Sequence, residues 1–141
     1  MALAVYADAS VLVALVVPDA FNERAESFLD TDPILLISDF AAAEFASALG
    51  LRVRTGSLPR DDALLAFATF DSWGARFGPR LEIDGADVAQ AERYLRHLDL
   101  NLRTPDAINI ALAERHSAAL ATFDVRMADS ARALGLELAP A

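Results

Sequence analysis

Apolar positions along the 141-residue chain fall into two kinds of segment that alternate. Short unbroken runs of strand length occur at 3–7, 34–37 and 118–122, and shorter ones at 81–83 and 136–138. Between them the apolar residues recur at helical spacing. A helix is predicted over 10–17, stopped by Pro18, and a second over 22–29, where Phe21, Ala25, Phe28 and Leu29 form a stripe. Ser38 is placed to cap a helix that runs to 54. After the turn Thr55-Gly56-Ser57-Leu58-Pro59 another helix is expected over 60–76, ended by Gly78-Pro79. Asp84 caps a helix to 98, and Thr104 as N-cap with Pro105 at N1 opens one over 104–115. A last helix covers 125–134 and stops at Gly135. Apolar strands alternating with helices imply an α/β fold with a mainly parallel central sheet covered on both faces, a three-layer α/β/α sandwich. No internal repeat, low-complexity tract or linker interrupts the pattern, so residues 1–141 are expected to form a single domain.

Composition narrows the classes further. At 55% hydrophobic residues the chain is not a candidate for disorder. It has no cysteine, which excludes disulfides, thiolate metal sites and cysteine nucleophiles and suits a reducing cytoplasm. No Lys or Arg precedes the first apolar stretch and Asp8 interrupts it, so no signal peptide is expected. The run 9–17 is too short to span a bilayer, so no membrane segment is expected either. The net charge of −9 argues against nonspecific binding to nucleic acid, though not against an enzyme that meets nucleic acid through a bound cation.

Four acids stand where an α/β chain collects its chemistry. Asp8 ends the first strand and Asp124 follows the run 118–123, both at the carboxyl edge of a parallel sheet, where functional sites lie. Asp106 opens a helix. Each of the three reads equally well as a helix cap or a first-turn acid. Glu44 does not. Its helical neighbours Phe40, Ala41 and Ala48 are apolar, so its carboxylate faces the core or a cleft and needs a partner or a metal. Two unit charges about 4 Å apart interact by roughly 4 kcal/mol at an effective dielectric near 20, and hard divalent cations are the natural counter-ions for such oxygens. Asp39 is a rival ligand placed at the helix start. Ser10 and Thr122 are candidate hydroxyl supports for Asp8 or for a metal-bound water. His97 and His116 fall near helix ends, which argues against a histidine site, and no glycine-rich phosphate loop is present.

The motifs Val5-Tyr6-Ala7-Asp8-Ala9-Ser10, Ala43-Glu44-Phe45, Thr104-Pro105-Asp106-Ala107-Ile108-Asn109-Ile110-Ala111 and Ala121-Thr122-Phe123-Asp124 occur in that order. With the ending Arg126-Met127-Ala128 and Ala133-Leu134-Gly135-Leu136, the chain resembles the PIN-domain nucleases, and among them the VapC-type toxins of toxin–antitoxin pairs. The resemblance spans nearly the whole chain. It implies that Asp8, Glu44, Asp106 and Asp124 are the catalytic and metal-site residues of a Mg2+- or Mn2+-dependent ribonuclease. Asp8 and Asp106 would be direct or water-mediated ligands, with Glu44 and Asp124 completing the site. Arg103 and Arg126 become candidates for contact with an RNA phosphate, against the competing reading of both as solvated surface arginines. The resemblance also implies a cognate antitoxin and a homodimer, for which the apolar residues Val11, Leu12, Leu15 and Val16, and Phe67, Phe70 and Trp73, are candidate contacts.

Two other classes compete. A non-catalytic, metal-stabilised binding module would use the same acids as caps. A phosphotransfer domain would want a second Asp two residues after Asp8, where Ser10 stands, or a lysine near the last strands, and the chain has no lysine.

Overall fold

A computed structural model describes residues 4–18 and 21–140. Three strands form its sheet: β1 (Ala4–Ala7), β2 (Ile34–Leu36) and β3 (Ala119–Ala121). β1 is central, and both neighbours run parallel to it in the order β2-β1-β3. Leu3, expected to begin the first strand, lies outside the described residues. Eight helices are described around the sheet: α1 (Ala9–Val16), α2 (Asn22–Asp30), α3 (Asp39–Arg54), α4 (Arg60–Ser72), α5 (Gly74–Phe77), α6 (Gly85–Leu95), α7 (Thr104–Arg115) and α8 (Val125–Ala133).

The period-two rule of a strand divides the core in two. Val5, Ala7, Leu35, Ala119 and Ala121 face a layer built by α1, α3 and α4, with Leu12, Phe45, Leu49 and Phe70 at its centre. Tyr6 and Leu120 face the opposite layer, built by α6, α7 and α8 around Tyr94, Ile110, Leu112 and Met127. This is the expected three-layer sandwich. It also corrects one expectation. Val11 and Leu12 are fully buried and Phe70 nearly so, while Leu15, Val16, Phe67 and Trp73 pack against the same core. Val11, Leu12 and Phe70 therefore fill the core and are not partner contacts, although other apolar side chains, such as Leu51, Leu65, Leu98 and Val125, remain exposed.

Several boundaries also differ from expectation. The helix predicted over 60–76 breaks at Trp73, whose ring packs edge-on between Phe70 (5.5 Å) and Phe77 (5.8 Å), and Gly74 begins the separate short α5. The helix capped by Asp84 ends at Leu95. The runs 81–83 and 136–138 each supply a single bridging residue. Leu81 pairs with Ser38 and Leu138 with Leu120, both parallel, so the sheet gains only a short, self-limiting edge on each side. At α7 the N-cap is Arg103, not Thr104, because the Asp106 carboxylate accepts the Arg103 backbone N–H (3.0 Å) one residue earlier. Ser38, Asp84 and Gly135 act as predicted. Ser38 Oγ accepts from Ala41 N (2.9 Å), and Gly135 closes α8 at φ 89°, a conformation that favours glycine.

Candidate active site

The four acids come from four elements that meet at the carboxyl end of the sheet. Asp8 leaves β1 and caps α1, and its backbone N–H continues the ladder to Ala121 O (3.1 Å). Asp124 follows β3 and caps α8, accepting from Arg126 N (3.0 Å) and Met127 N (3.2 Å). Asp106 lies in the first turn of α7, and Glu44 lies in α3. The capping readings of Asp8 and Asp124 therefore hold as geometry. They do not compete with a second use, because a cap places a carboxylate at the sheet edge.

Asp8 is 3% exposed and its charge is held by hydroxyls. Ser10 Oγ donates to Oδ1 (2.6 Å), Thr122 Oγ1 donates to Oδ2, and Val11 N donates to Oδ1 (3.3 Å). The direction of both hydroxyl protons is fixed by their other partners. Ser10 Oγ accepts from Phe123 N (2.9 Å) and Thr122 Oγ1 accepts from Asp124 N (3.0 Å), so each hydroxyl hydrogen is left for Asp8. The two hydroxyls thus tie the β1–α1 junction to the loop that carries Asp124. Burial still wins over these bonds and raises the Asp8 pKa above the usual carboxylate value.

Glu44 is half-buried beside the Ala41, Phe45 and Leu49 stripe of α3. Its Oε1 accepts from Asn109 Nδ2 (2.7 Å). Asn109, 1% exposed on α7, also donates to Pro105 O (3.0 Å), and its Oδ1 accepts from the Tyr6 hydroxyl (2.5 Å), which meets Ser38 Oγ (2.6 Å). One amide therefore joins the central strand, α3 and α7 behind the acids. Burial raises the Glu44 pKa most. Asn109 opposes it, the negative charges of Asp8 and Asp106 add to it, and Arg103 offsets part. Asp106 is 4% exposed, with Arg103 Nε 3.7 Å away.

Asn109 and Tyr6 are the site residues that sequence reasoning missed. A signal existed for the first. Asn109 is the lone amide in the run Ala107–Ala113, and the logic applied to Glu44 applies to it as well. Asp39 instead pairs at the surface with Arg80 (3.6 Å). His97 is exposed in the turn after α6, and His116 caps the far end of α7, so neither joins the acids. A separate buried acid, Asp87, takes two bonds from Arg115 (2.7 and 3.0 Å) and caps the Asp84 backbone (3.0 Å), locking α6 to α7.

Glu44 and Asp124 line one open cleft of about 400 Å³, together with Ser10, Phe21, Arg52 and Phe123. Among the described residues no three acids converge closely enough to make a ready-built cation cage. The donor chemistry nevertheless suits a hard divalent ion. All four side chains offer oxygen only, and Glu44, whose pKa is raised chiefly by burial, also feels the negative charges of Asp8 and Asp106.

The PIN domain model matches residues 5–133. The chain belongs to the PIN-domain family. It is 30% identical over 127 residues to Ribonuclease VapC3 of Pyrobaculum aerophilum, covering 90% of this chain and 94% of that protein. The same fold occurs in FitAcB of Neisseria gonorrhoeae, with a TM-score of 0.72 and 20% identity over 96% of this chain and 97% of that one. It also occurs in VapC20 of Mycobacterium tuberculosis, described as a sarcin–ricin-loop-cleaving toxin, with a TM-score of 0.71 and 19% identity over 97% and 99%.

Proposed function

We propose that this PIN domain is a metal-dependent endoribonuclease, the toxin of a toxin–antitoxin pair. The observation that carries the reading is Glu44: a half-buried carboxylate anchored by the neutral amide of Asn109 and crowded by the negative charges of Asp8 and Asp106. A purely structural acid is better served by an arginine, as Asp87 is by Arg115. The likeness to a curated VapC ribonuclease over nine-tenths of the chain supports the same reading.

Asp8, Glu44, Asp106 and Asp124 would hold Mg2+ or Mn2+. When bound, such an ion supplies charge neutralisation at the phosphate and a lowered pKa for water. The chain's own residues do the rest. Ser10 and Thr122 orient the Asp8 carboxylate and oppose part of the burial that favours its protonated form. Asn109 fixes the Glu44 carboxylate through a neutral donor. Arg103 and Arg126, both at the acidic edge, offer positive charge to the RNA backbone. No described helix is long and apolar enough to cross a membrane, and the cysteine-free chain suits the cytoplasm. FitAB and VapBC2 assemblies bound to DNA share the fold, which motivates an antitoxin as partner; a homodimer is proposed from the resemblance alone.

Purified protein should degrade RNA with Mg2+ or Mn2+ and stop on addition of EDTA. Full activity in EDTA, or none under any divalent ion, would remove the reading and leave a metal-stabilised binding module in its place.

A further inference from the structure

The four acids are supported in two different ways. Asp8 is held by the hydroxyls of Ser10 and Thr122 and Glu44 by the amide of Asn109, all neutral donors. The other two have an arginine close by: Arg103 Nε lies 3.7 Å from Asp106 Oδ2, and Arg126 Nη2 lies 3.9 Å from Asp124 Oδ2. Both separations exceed hydrogen-bond length, whereas the structural pair of Arg115 and Asp87 closes to 2.7 Å. Each carboxylate already has backbone donors. Asp106 Oδ2 accepts the Arg103 N–H (3.0 Å), and Asp124 Oδ1 accepts those of Arg126 and Met127 (3.0 and 3.2 Å). Neither guanidinium is therefore needed to hold its acid in place. The side chains of Arg103 and Arg126 are 66% and 36% exposed, so each can turn into water at little cost.

Helix physics does not account for these arginines. Arg103 is the N-cap of α7 and Arg126 lies in the first turn of α8. The N-terminus is the positive end of a helix dipole, where a cation is disfavoured. What favours them there is the acidic edge. The charge of Arg103 reaches Glu44 as well as Asp106, and it opposes the repulsion that Glu44 feels from Asp8 and Asp106. Two guanidinium groups together carry the charge of one divalent ion. We propose that Arg103 and Arg126 are the resting counter-ions of the acidic edge, each paired loosely with one carboxylate until a divalent ion takes over, when both turn out toward the phosphates of the incoming strand. The proposal rests on the metal-dependent ribonuclease reading and adds an exchange of charge to it. The arginines compete with the metal, and they become available to phosphate once it is in place, so metal and RNA strengthen one another's binding.

The test is calorimetry with Mn2+ alone on the wild type, Arg103→Gln, Arg126→Gln, the double variant and the charge-preserving Arg103→Lys. An exposed ion pair changes an equilibrium constant by about 1.5- to 5-fold. Each Gln variant should bind Mn2+ more tightly by about that factor, the double variant more tightly than either, and Arg103→Lys much as the wild type does. The gain should shrink toward about 1 M salt, where the Debye length falls to roughly 3 Å. Anisotropy of a labelled single-stranded RNA, read by rapid mixing before cleavage, follows the second half of the exchange. Saturating Mn2+ should strengthen RNA binding more in the wild type than in the double variant. Unchanged Mn2+ affinity in a folded double variant, or equal strengthening of RNA binding, would overturn the exchange and leave the nuclease reading intact wherever the wild type still cleaves. Joint loss of stability and Mn2+ affinity would overturn it too, giving the arginines a structural role. A wild type that binds no Mn2+ removes both readings. Tighter, salt-sensitive binding by the Gln variants of a protein that binds RNA without cleaving it would support the exchange and remove the nuclease.

Discussion

Replacing Asn109 with alanine removes the amide that joins α7 to Glu44 and to Tyr6. Three consequences can be separated. Glu44 Oε1 loses its 2.7 Å donor, and a hydrogen bond to a charged group is worth about 1.5–3 kcal/mol. The Pro105 carbonyl loses a side-chain donor and a small void opens at a position 1% exposed, together costing on the order of 1 kcal/mol. Tyr6 is spared, because its hydroxyl can donate to Ser38 Oγ, 2.6 Å away. The total is about 2.5–4 kcal/mol, and at roughly 4 °C per kcal/mol for a chain of this size the metal-free melting temperature should fall by about 10–16 °C. Below that melting point the folded variant should cleave RNA about 10- to 100-fold more slowly, the usual effect of releasing the group that orients a metal-binding side chain. Thermal melts followed by circular dichroism, and Mn2+-dependent cleavage well below the transition, give both numbers. A shift under 3 °C with unchanged cleavage would refute the claim that Asn109 anchors Glu44.

Other expectations follow from the same geometry. Asp87→Ala should lower stability by about 2–4 kcal/mol, since it deletes a buried acid bound twice to Arg115 and a cap on α6, discounted because the Arg115 side chain is 35% exposed and can turn to water; chemical denaturation measures this. Burial raises the Asp87 pKa, but the bonds from Arg115 and the Asp84 backbone outweigh it and the net shift is downward. Its contribution is therefore present above the ordinary aspartate range and is lost as pH falls through the lowered folded value, so the gap between wild type and Asp87→Ala should close in acid melts. Asp8 and Glu44 shift the other way: the folded state keeps their protons longer, so without metal stability should decline as pH rises from the usual carboxylate range through their raised values. Saturating Mn2+ should reverse that decline, adding about 2.7 kcal/mol at 100 times the dissociation constant, and calorimetry should find binding weakened in Asp8→Asn.

Much of the fold was legible because its signals are local. The buried strands β1, β2 and β3, the Ser38 and Asp84 caps and the Gly135 stop each follow from a few adjacent residues. What failed depends on tertiary context. The apolar period runs through Trp73 into Arg76, and only the packing of Trp73 between Phe70 and Phe77 shows that the helix turns there. The runs 81–83 and 136–138 have strand composition, yet one residue of each finds a partner. Thr104 looked like a cap because the longer reach of the Asp106 carboxylate is invisible in a propensity argument. At the site, the acids stood out by their chemistry, whereas Tyr6 and Asn109 are ordinary residues made special by a contact 103 positions apart in sequence.

The most direct test of the central claim is Glu44→Gln, with melting temperature and Mn2+-dependent RNA cleavage measured on one preparation. The Gln carbonyl can take the same bond from Asn109 Nδ2, and the substitution removes a charge that Asp8 and Asp106 disfavour. The account predicts a metal-free variant at least as stable as the wild type and cleavage reduced by orders of magnitude. A stable Glu44→Gln protein that cleaves RNA as fast as the wild type would contradict it.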